Sequence, residues 1–468
     1  MRSARYNQSL KMNFEDLSAR QNISNLSEFQ RVSSSQYVLV SDVPQAIPGV
    51  LRLTPQAQAV SSKYWFPAKS NMRNLYSLIF LSENFAGSEK CCNFALQYFD
   101  MTTDEQYMAR AIQISRFAEG RTMPNPMVGA LIVHDGTIIA EGYHHKAGEP
   151  HAEPNAVRNA EDSLRKKYNG DLVKVAKTLN ESTLYVTLEP CSHYGKTPPC
   201  AKLIVEKNIH RVVIGCLDCN PLVAGRGVEM LREAGIIVDV GILERECRWV
   251  NRRFFTFHEK KRPYVVLKWA QTADGYIDLK RTEKGNGPHR ISNAVTKTLN
   301  HQMRCYEAAI MVATRTAILD DPHLTVTKWS GLNPVRVLLD RCLRVPKDSR
   351  IFDNAARTIV FTEKNDFTGY GENVEFRTID FSDNLVKQLF DGLYNCGIQS
   401  IIIEGGAQWL NTVIESSMWD EAHIEISQTI VGQGVAAPHI DNALFETSEI
   451  LGNHILTLNH RPIILSKI

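Results

Sequence analysis

The sequence lacks a charge imbalance, since its 53 basic and 51 acidic residues leave a formal net charge of +2. This balance gives no electrostatic argument for binding nucleic acid or a membrane surface. The chain also lacks an apolar run near the roughly 20 residues that a membrane-spanning helix needs. Its ten Cys among 468 residues are too scattered for a disulfide framework. That distribution favours a reducing, cytoplasmic location.

The first hundred residues lack sustained hydrophobic periodicity and are rich in Ser, Asn and Gln. Their basic residues would suit an organellar targeting segment, but Glu15 and Asp16 do not, because such segments are poor in acids. A clearer pattern begins at Met101. We therefore expect residues 1–100 to be a poorly structured extension, or the result of a start assigned too early.

Three side chains with metal-binding chemistry stand out in the first half of the chain. His151 is followed about forty residues later by Cys191 and Cys200. One imidazole and two thiolates suit zinc, and three protein ligands leave a fourth position open for water, as in catalytic sites. Glu153 would then act as general acid and base, as in the H-x-E and P-C-x-x-C pattern of zinc base deaminases. The alternative is a structural zinc knot or two buried thiols.

Residues 101–245 alternate between predicted strands and helices. Asp104 is a candidate N-cap for the first helix, and Asp135-Gly136 predicts a hairpin turn. This alternation is typical of a three-layer α/β/α sandwich. The predicted strands cover 128–133, 137–141, 183–188, 211–216 and 236–240, and the predicted helices cover 104–118, 151–158, 200–207 and 227–234.

A second α/β domain is predicted over residues 263–468, after a charged stretch that we interpret as a linker helix over 246–262. Glu404-Gly405-Gly406 follows an apolar run and opens a helix, where backbone amides suit a phosphate. A tight strand-to-helix turn is the alternative. The predicted strands cover 263–270, 308–313, 335–340, 358–361 and 400–404, and the predicted helices cover 292–302, 384–394 and 408–415.

The two Cys are separated by eight residues instead of two, in Cys191-Ser-His-Tyr-Gly-Lys-Thr-Pro-Pro-Cys200. With His151-Ala-Glu153, this segment resembles the bifunctional riboflavin-biosynthesis deaminase/reductase family. The resemblance implies a cytidine-deaminase-like zinc domain over 101–245 and a dihydrofolate-reductase-like, NADPH-dependent domain over 263–468. It also implies deamination of a diaminopyrimidinone ribosyl phosphate, followed by reduction of its ribosyl chain to ribityl. A homo-oligomer is expected, with small-molecule partners.

The resemblance implies further site residues, for which ordinary loop or turn positions are the alternative. Implied substrate contacts are Asn125, His144, His193 and Lys196 in the first half, and Arg304, Leu324 and Glu404 in the second. Implied cofactor contacts are Ala270, Thr316, Asp320, Gly405 and Gly406. For Asn125 the alternative is specific, because Asn-Pro alone predicts a turn.

Four positions of the second half depart from the family pattern: Pro288, Arg290, Thr327 and Arg341. Thr327 stands where a substrate-side Arg is expected, and Arg341 where a small residue lies near the cofactor phosphate. These departures leave a rival interpretation open, in which the chain is a deaminase with a degenerate reductase domain as scaffold. A nucleic-acid base deaminase and a zinc-stabilised binding protein are the other rivals.

Overall fold

The structure is a computed structural model, and it describes residues 101–194, 198–219, 224–283, 285, 287–441, 443 and 445–460. The predicted extension over residues 1–100 and the candidate Lys196 lie outside these residues. No helix in the part of the chain that the structure describes is long and apolar enough to span a bilayer. The described residues form two α/β halves with two short helices between them.

The first half is built on a five-stranded sheet. Its elements are α1 (Thr103–Ser115), β1 (Gly129–His134), β2 (Thr137–Tyr143), α2 (Ala152–Lys167), α3 (Leu172–Asn180), β3 (Thr183–Leu188), α4 (Cys200–Glu206), β4 (Arg211–Cys216), α5 (Arg226–Glu233) and β5 (Ile237–Val240). The strand order is β2-β1-β3-β4-β5, with β1 antiparallel to both of its neighbours and β3, β4 and β5 parallel.

Helices cover both faces of this sheet because successive side chains of each strand point to opposite faces. Ala130 and Ile132 of β1 belong to the core that contains α2, whereas Leu131 and Val133 belong to the core that contains α1. The predicted α/β/α sandwich is therefore confirmed. Of the first-half elements, α3 was not predicted.

The first helix begins one residue earlier than expected because Thr102 caps it. Thr102 Oγ1 accepts a hydrogen bond from the backbone N–H of Glu105 at 3.3 Å, and the Glu105 carboxylate accepts one from the backbone of Thr102 at 2.8 Å. The prediction of Asp104 as N-cap is wrong. Asp104 instead accepts hydrogen bonds from Arg211 and Tyr185, which tie α1 to the sheet.

The stretch predicted as one linker helix over 246–262 is two helices, α6 (Glu244–Val250) and α7 (Arg252–Lys260), separated at Asn251. The Asn251 side chain accepts a hydrogen bond from the backbone N–H of Met127 at 2.7 Å and donates one to its carbonyl oxygen at 2.8 Å. Local periodicity predicted helix correctly, but it carries no information about a contact with a loop 124 residues away.

The second half is built on a nine-stranded sheet and a two-stranded ribbon. Its elements are β6 (Tyr264–Gln271), β7 (Tyr276–Asp278), α8 (Ala294–Tyr306), β8 (Ala309–Ala313), α9 (Thr314–Asp320), β9 (Val335–Leu339), β10 (Thr358–Thr362), β11 (Val374–Thr378), α10 (Leu385–Asn395), β12 (Ser400–Gly405), α11 (Ala407–Glu415), β13 (Glu421–Ile426), β14 (Val435–Ala436), β15 (Glu446–Ile450) and β16 (Asn453–Asn459). The order of the large sheet is β11-β10-β9-β8-β12-β6-β13-β16-β15.

Strands β12 and β6 lie side by side in the middle of this sheet and run parallel, with Ile403 opposite Leu267. Both strands are buried, so their polar side chains are held by the sheet and shielded from water. The carboxyl ends of parallel strands meet at one edge of a sheet, which is where ligands bind in open α/β folds. This edge carries the candidate site of the second half.

Candidate active sites

The three predicted zinc ligands converge at the ends of three different elements. His151 precedes α2 as its N-cap, Cys200 is the first residue of α4, and Cys191 follows β3. His151 Nδ1 lies 3.8 Å from Cys191 Sγ and 3.5 Å from Cys200 Sγ. Tetrahedral zinc, at about 2.0 Å from nitrogen and about 2.3 Å from sulfur, separates these atoms by about 3.5 Å. The group therefore fits zinc.

Among the described residues, His151, Cys191 and Cys200 are the only cluster of three or more His, Cys, Asp or Glu that could hold a metal ion. Hydrogen bonding from Cys200 lowers the pKa of the Cys191 thiol, and the hydrogen bond to Cys191 raises the pKa of His151. The Cys200 backbone N–H also donates to Cys191 Sγ at 3.3 Å. The negative charge of a Cys191 thiolate is thus stabilised. The thiolate is the form of cysteine that binds a metal ion.

Glu189 anchors the segment that carries Cys191. Its side chain is 4% exposed, and its oxygens accept hydrogen bonds from the backbone N–H groups of Asp218, Gly225, Gly227 and Val228, at 2.9–3.3 Å. Gly225 is the N-cap of α5 and has no side chain to satisfy the first amides of that helix. Glu189 supplies the missing acceptor, two residues before the zinc ligand.

Replacing Glu189 with glutamine is expected to lower the free energy of unfolding by about 1–3 kcal/mol, because one acceptor oxygen becomes an NH₂ group facing buried N–H donors. Urea denaturation measures this change. Glu206→Gln on α4 is the matched control, since Glu206 is 58% exposed and its nearest cation, Lys202, is 3.8 Å away. The control should change stability by less than about 0.5 kcal/mol. Equal effects of the two substitutions would contradict the anchoring role.

Glu153 is buried beside the zinc ligands, in the first turn of α2. Burial raises the pKa of its carboxyl to about 7, against the lowering effect of neighbouring His151. A carboxyl with a pKa near the working pH can both take and release a proton. A bound cation would lower this pKa again. The role of Glu153 as general acid and base stays a prediction.

A hydrogen bond and a ring contact connect Asn125 through His144 to the predicted zinc ligand His151. His144 Nδ1 lies 3.0 Å from the carbonyl oxygen of Pro150, so this nitrogen must carry a proton, and Nε2 is left to accept from Asn125 Nδ2 at 3.1 Å. Burial lowers the pKa of His144, which favours this neutral form. The His144 and His151 rings pack edge to face at 5.3 Å. The amide orientation of Asn125 is thereby set, and its Oδ1 remains available to a substrate.

The segment between the two Cys ligands contributes less to the described site. His193 is exposed and does not belong to the metal-ligand cluster. Lys196 lies outside the described residues. Both substrate contacts stay predictions from the resemblance.

In the second half, Arg304 and Glu404 form a bidentate ion pair, with Arg304 Nη2 at 2.6 Å and Nε at 3.0 Å from the two carboxylate oxygens. Burial alone would raise the pKa of Glu404, but Arg304 and Lys268 lower it to about 2. Leu324 is buried nearby, with the next residue's carbonyl oxygen 3.4 Å from Arg304 Nη1. Three predicted substrate contacts thus come together.

Gly405 and Gly406 form the turn between β12 and α11, opposite Thr316. Gly405 has a φ of +144°, which side chains rarely adopt, and a Cβ on Gly406 would lie 3.1 Å from Thr316 Oγ1. The N-terminus of α11 has no side-chain cap. Free backbone amides in a cradle without side chains suit a phosphate group. The site therefore fits a dinucleotide, and Ala270 lies at the end of adjacent β6.

Asp320, a predicted cofactor contact, is already engaged in an ion pair with Arg281. Arg281 binds the carboxylates of both Asp278 and Asp320. Burial raises the pKa of Asp320, and the hydrogen bond from Arg281 opposes that effect. A cofactor that contacts Asp320 must therefore share it with Arg281.

Sequence reasoning missed two polar residues of this site. Burial lowers the pKa of Lys268, on β6 between Glu404 and Glu425. A lysine inside an otherwise apolar strand was the available signal. His301 is also buried, which lowers its pKa to about 4, and its Nδ1 accepts the backbone N–H of Thr327 at 3.2 Å. No sequence pattern marked His301.

The four departures from the family pattern lie on the surface. Thr327, Pro288 and Arg290 are exposed, and Arg341 is exposed in an ion pair with Glu363 at 2.8 Å. They leave the ion pair of Arg304 and the glycine turn of β12 intact.

Comparisons with known proteins agree with this two-part organisation. Residues 101–216 match the cytidine and deoxycytidylate deaminase zinc-binding region, and residues 263–460 match the RibD C-terminal domain. Riboflavin biosynthesis protein RibD of Aquifex aeolicus is 38% identical over 336 residues, which cover 71% of this chain and 89% of that protein. The protein of the same name from Escherichia coli is 34% identical over 346 residues, covering 70% and 89%.

A solved structure from Thermotoga maritima, a diaminohydroxyphosphoribosylaminopyrimidine deaminase/5-amino-6-(5-phosphoribosylamino)uracil reductase, is 37% identical with a TM-score of 0.65. The match covers 76% of this chain and 98% of that one. RibD of Acinetobacter baumannii has the same TM-score and coverage at 30% identity.

The fold and the zinc-ligand geometry define a zinc-dependent deaminase joined to a dihydrofolate-reductase-like domain. Both parts occur in the same order in the relatives, over most of their length. The chain belongs to the RibD family of bifunctional riboflavin-biosynthesis enzymes. The expected family and fold are confirmed.

Proposed function

We propose that this chain catalyses two consecutive steps of riboflavin biosynthesis. The first is hydrolytic deamination of 2,5-diamino-6-ribosylamino-pyrimidinone 5′-phosphate, and the second is NADPH-dependent reduction of the ribosyl chain to ribityl. The observation that carries the proposal is the zinc-ligand group with buried Glu153, in a chain whose second half matches the RibD C-terminal domain. The deaminase-only alternative is not favoured, because that match extends over residues 263–460.

In the deaminase half, zinc held by His151, Cys191 and Cys200 would lower the pKa of a bound water to about 7 and so supply a nucleophile at neutral pH. Glu153 accepts a proton from the attacking water. It delivers this proton to the ring nitrogen, then takes the second proton of the same water and delivers it to the amine, which leaves as ammonia. Water is consumed and ammonia is released, so the reaction needs no further reactant.

Substrate binding in this half depends on Asn125, whose Oδ1 accepts a hydrogen bond from an amino group of the pyrimidine. His144 keeps the amide in the orientation that makes this possible. His193 remains a proposed contact, and Lys196 is proposed to meet the phosphate as a point charge.

In the reductase half, bound NADPH would supply a hydride to C1 of the opened ribosyl chain, and water would supply the accompanying proton. The backbone amides of Gly405 and Gly406 bind a cofactor phosphate, with Thr316, Ala270 and Asp320 as further cofactor contacts. Arg304, oriented by Glu404, binds the substrate together with Leu324. A homo-oligomeric state and a cytoplasmic location stay predictions.

Removing zinc is expected to separate the two activities. A chelator-treated protein should lose ammonia release, while it retains NADPH oxidation with a substrate that is already deaminated, because the zinc ligands lie only in the first half. Adding zinc back should restore ammonia release. Far-UV circular dichroism should stay nearly unchanged, whereas a structural zinc would unfold this half on chelation. Parallel loss of both activities and of helical signal would contradict the proposed catalytic role.

A further inference from the structure

The loop that carries Asn125, residues 122–127, is not held by the deaminase half alone. Within that half, the Asn125 backbone N–H donates to the carbonyl oxygen of Thr122 at 2.8 Å, and the Asn125 side chain bonds His144. From the region between the halves, Asn251 bonds both backbone groups of Met127. The remaining support comes from the second half of the chain.

That support is Gln399, whose Nε2 donates a hydrogen bond to the carbonyl oxygen of Pro124 at 2.7 Å. Gln399 is 3% exposed. Its backbone carbonyl oxygen accepts a hydrogen bond from the backbone N–H of Tyr264 at 2.9 Å. A buried side chain on an anchored backbone has little freedom to move. The donor therefore holds the peptide group immediately before Asn125 at a fixed place.

The chain entering the loop also packs closely on the second half. A Cβ on Gly120 would lie 2.6 Å from the backbone carbonyl oxygen of Cys305, at the end of α8. The contact leaves no space for a side chain at this position. The loop thus meets the second half at Pro124, and the chain that enters it meets the second half at Gly120.

Two ion pairs with buried members keep α7, and with it Asn251, fixed on the second half. Arg253 binds Glu307, whose side chain is fully buried. Arg252 lies 3.1 Å from Glu421, which also accepts a hydrogen bond from the Tyr264 hydroxyl at 2.9 Å. Shielded pairs of this kind are costly to break. The halves therefore present Gln399 to the loop in one defined arrangement.

We propose that Gln399 is a positioning residue for the deaminase reaction, so that the reductase half sets the position of the substrate-binding loop of the deaminase half. The path runs from Gln399 to the Pro124 carbonyl, then to Asn125, His144 and the zinc ligand His151. This inference rests on the proposed function, in which Asn125 binds the pyrimidine. Gln399 itself touches no reacting atom.

The same strand serves both sites. Gln399 directly precedes β12, and Glu404 lies near its other end, roughly 17 Å away at about 3.3 Å per residue. One rigid, central strand thus contacts the deaminase loop at its start and carries the reductase ion pair at its end.

The test is Gln399→Met in the full-length, zinc-loaded protein, with ammonia release followed against substrate concentration. Methionine keeps the length of the side chain and removes the donor. The loop then loses a buried hydrogen bond, and KM for deamination is expected to rise by roughly five- to tenfold with kcat changed less than about twofold. Zinc content and NADPH oxidation with deaminated substrate should match the wild type.

Gln388→Met is the matched control. Gln388 Nε2 also donates to a backbone carbonyl, that of Asp380 at 2.9 Å, but it lies on α10 in an exposed part of the second half. The same chemical change there should leave the deaminase KM unaltered. An equal rise of KM in both variants would overturn the proposal.

A double-mutant cycle distinguishes positioning from a general structural effect. If Gln399 acts through Asn125, then Gln399→Met should raise KM by less than about twofold in an Asn125→Ala background. Full additivity of the two substitutions would overturn the proposal, as would an unchanged KM in Gln399→Met alone. Should Gln399→Met fail to fold, Gln399→Asn keeps an amide at this buried position but is one methylene shorter, which withdraws the donor from the Pro124 carbonyl oxygen.

The wild-type assay separates this inference from the function on which it rests. Wild-type protein that releases ammonia, with no KM change in Gln399→Met, overturns the positioning role alone. Wild-type protein that releases no ammonia with zinc bound overturns the proposed function, and the positioning role with it.

Discussion

Glu153→Gln is expected to lower the kcat of ammonia release by about 10²–10⁴-fold, the usual contribution of a positioned general acid and base. Glutamine has nearly the same shape as glutamate but cannot take a proton from water or return one to the leaving amine. The zinc ligands are three other side chains, so zinc content should remain at the wild-type value. Steady-state ammonia release and metal analysis of the same preparations measure both quantities.

Glu161→Gln is the matched control for this prediction. Glu161 lies on the same helix, α2, and forms an ion pair with Lys207 at 2.6 Å, away from the metal ligands. Its kcat should stay within about twofold of the wild type. Loss of zinc in parallel with activity in Glu153→Gln would make Glu153 a structural residue, and retention of a tenth of the wild-type kcat would contradict its proton-transfer role.

Arg304→Met is expected to lower kcat/KM for NADPH oxidation by at least about 10²-fold and to destabilise the second half by about 3–5 kcal/mol. The substitution removes the proposed substrate contact and leaves Glu404 as a buried charge without its main partner. Ammonia release should change little, because Arg304 contacts none of the described deaminase site residues. Reductase kinetics and urea denaturation measure the two effects.

Arg357→Met is the control, since Arg357 pairs with Glu375 at a site where both side chains are more than a third exposed. Exposed pairs of this kind contribute about 0–1 kcal/mol. A reductase that tolerates Arg304→Met as well as it tolerates Arg357→Met would contradict the proposed role of the buried pair.

The ion pair of Arg304 also predicts a pH dependence. The folded-state pKa of Glu404 is lowered from 4.5 to about 2, so its stabilising effect is complete above about pH 4.5 and is lost as the pH falls towards 2. Arg304→Met removes the largest lowering effect on this pKa, so the variant should lose less stability than the wild type as the pH falls below about 4.5. Thermal unfolding between pH 6 and pH 3 compares the two proteins.

Much of the fold was predictable because its strands are short apolar runs bounded by turn residues. The strand Thr183–Leu188 was predicted with the same bounds, and Asp135-Gly136 does form the hairpin turn, with positive φ at both residues. The zinc-ligand group was predictable as well, since a His-x-Glu followed by two Cys is chemically specific. His151 and Cys200 stand at helix starts, and Cys191 follows strand β3.

Features that depend on contacts distant in sequence were not predictable. The break at Asn251 is accompanied by hydrogen bonds to Met127, 124 residues earlier. The cap of α1 was instead a missed local signal, since Thr102 and Glu105, three residues apart, form a capping box. Strands β13 and β16 were missed although they pair along six residues, since polar and charged residues interrupt their apolar pattern. His301 was missed as a site residue because burial, which lowers its pKa, is a property of the folded chain, whereas Lys268 could have been found from its place in an otherwise apolar strand.

The contact between Gln399 and the Asn125 loop illustrates the same limit. The two partners are 275 residues apart, and neither residue has a distinctive sequence context. Only the folded arrangement of the two halves shows that a residue of the reductase half holds the deaminase loop.

A coupled assay is the direct test of the assignment of both activities to this chain. Purified protein is incubated with zinc, NADPH and the diaminopyrimidinone ribosyl phosphate, and ammonia release and NADPH oxidation are followed separately. Both signals are expected, with NADPH oxidation appearing only after deaminated product has formed. Ammonia release without NADPH oxidation would contradict the reductase assignment. The absence of both signals from zinc-loaded protein would contradict the assignment of this compound as the substrate.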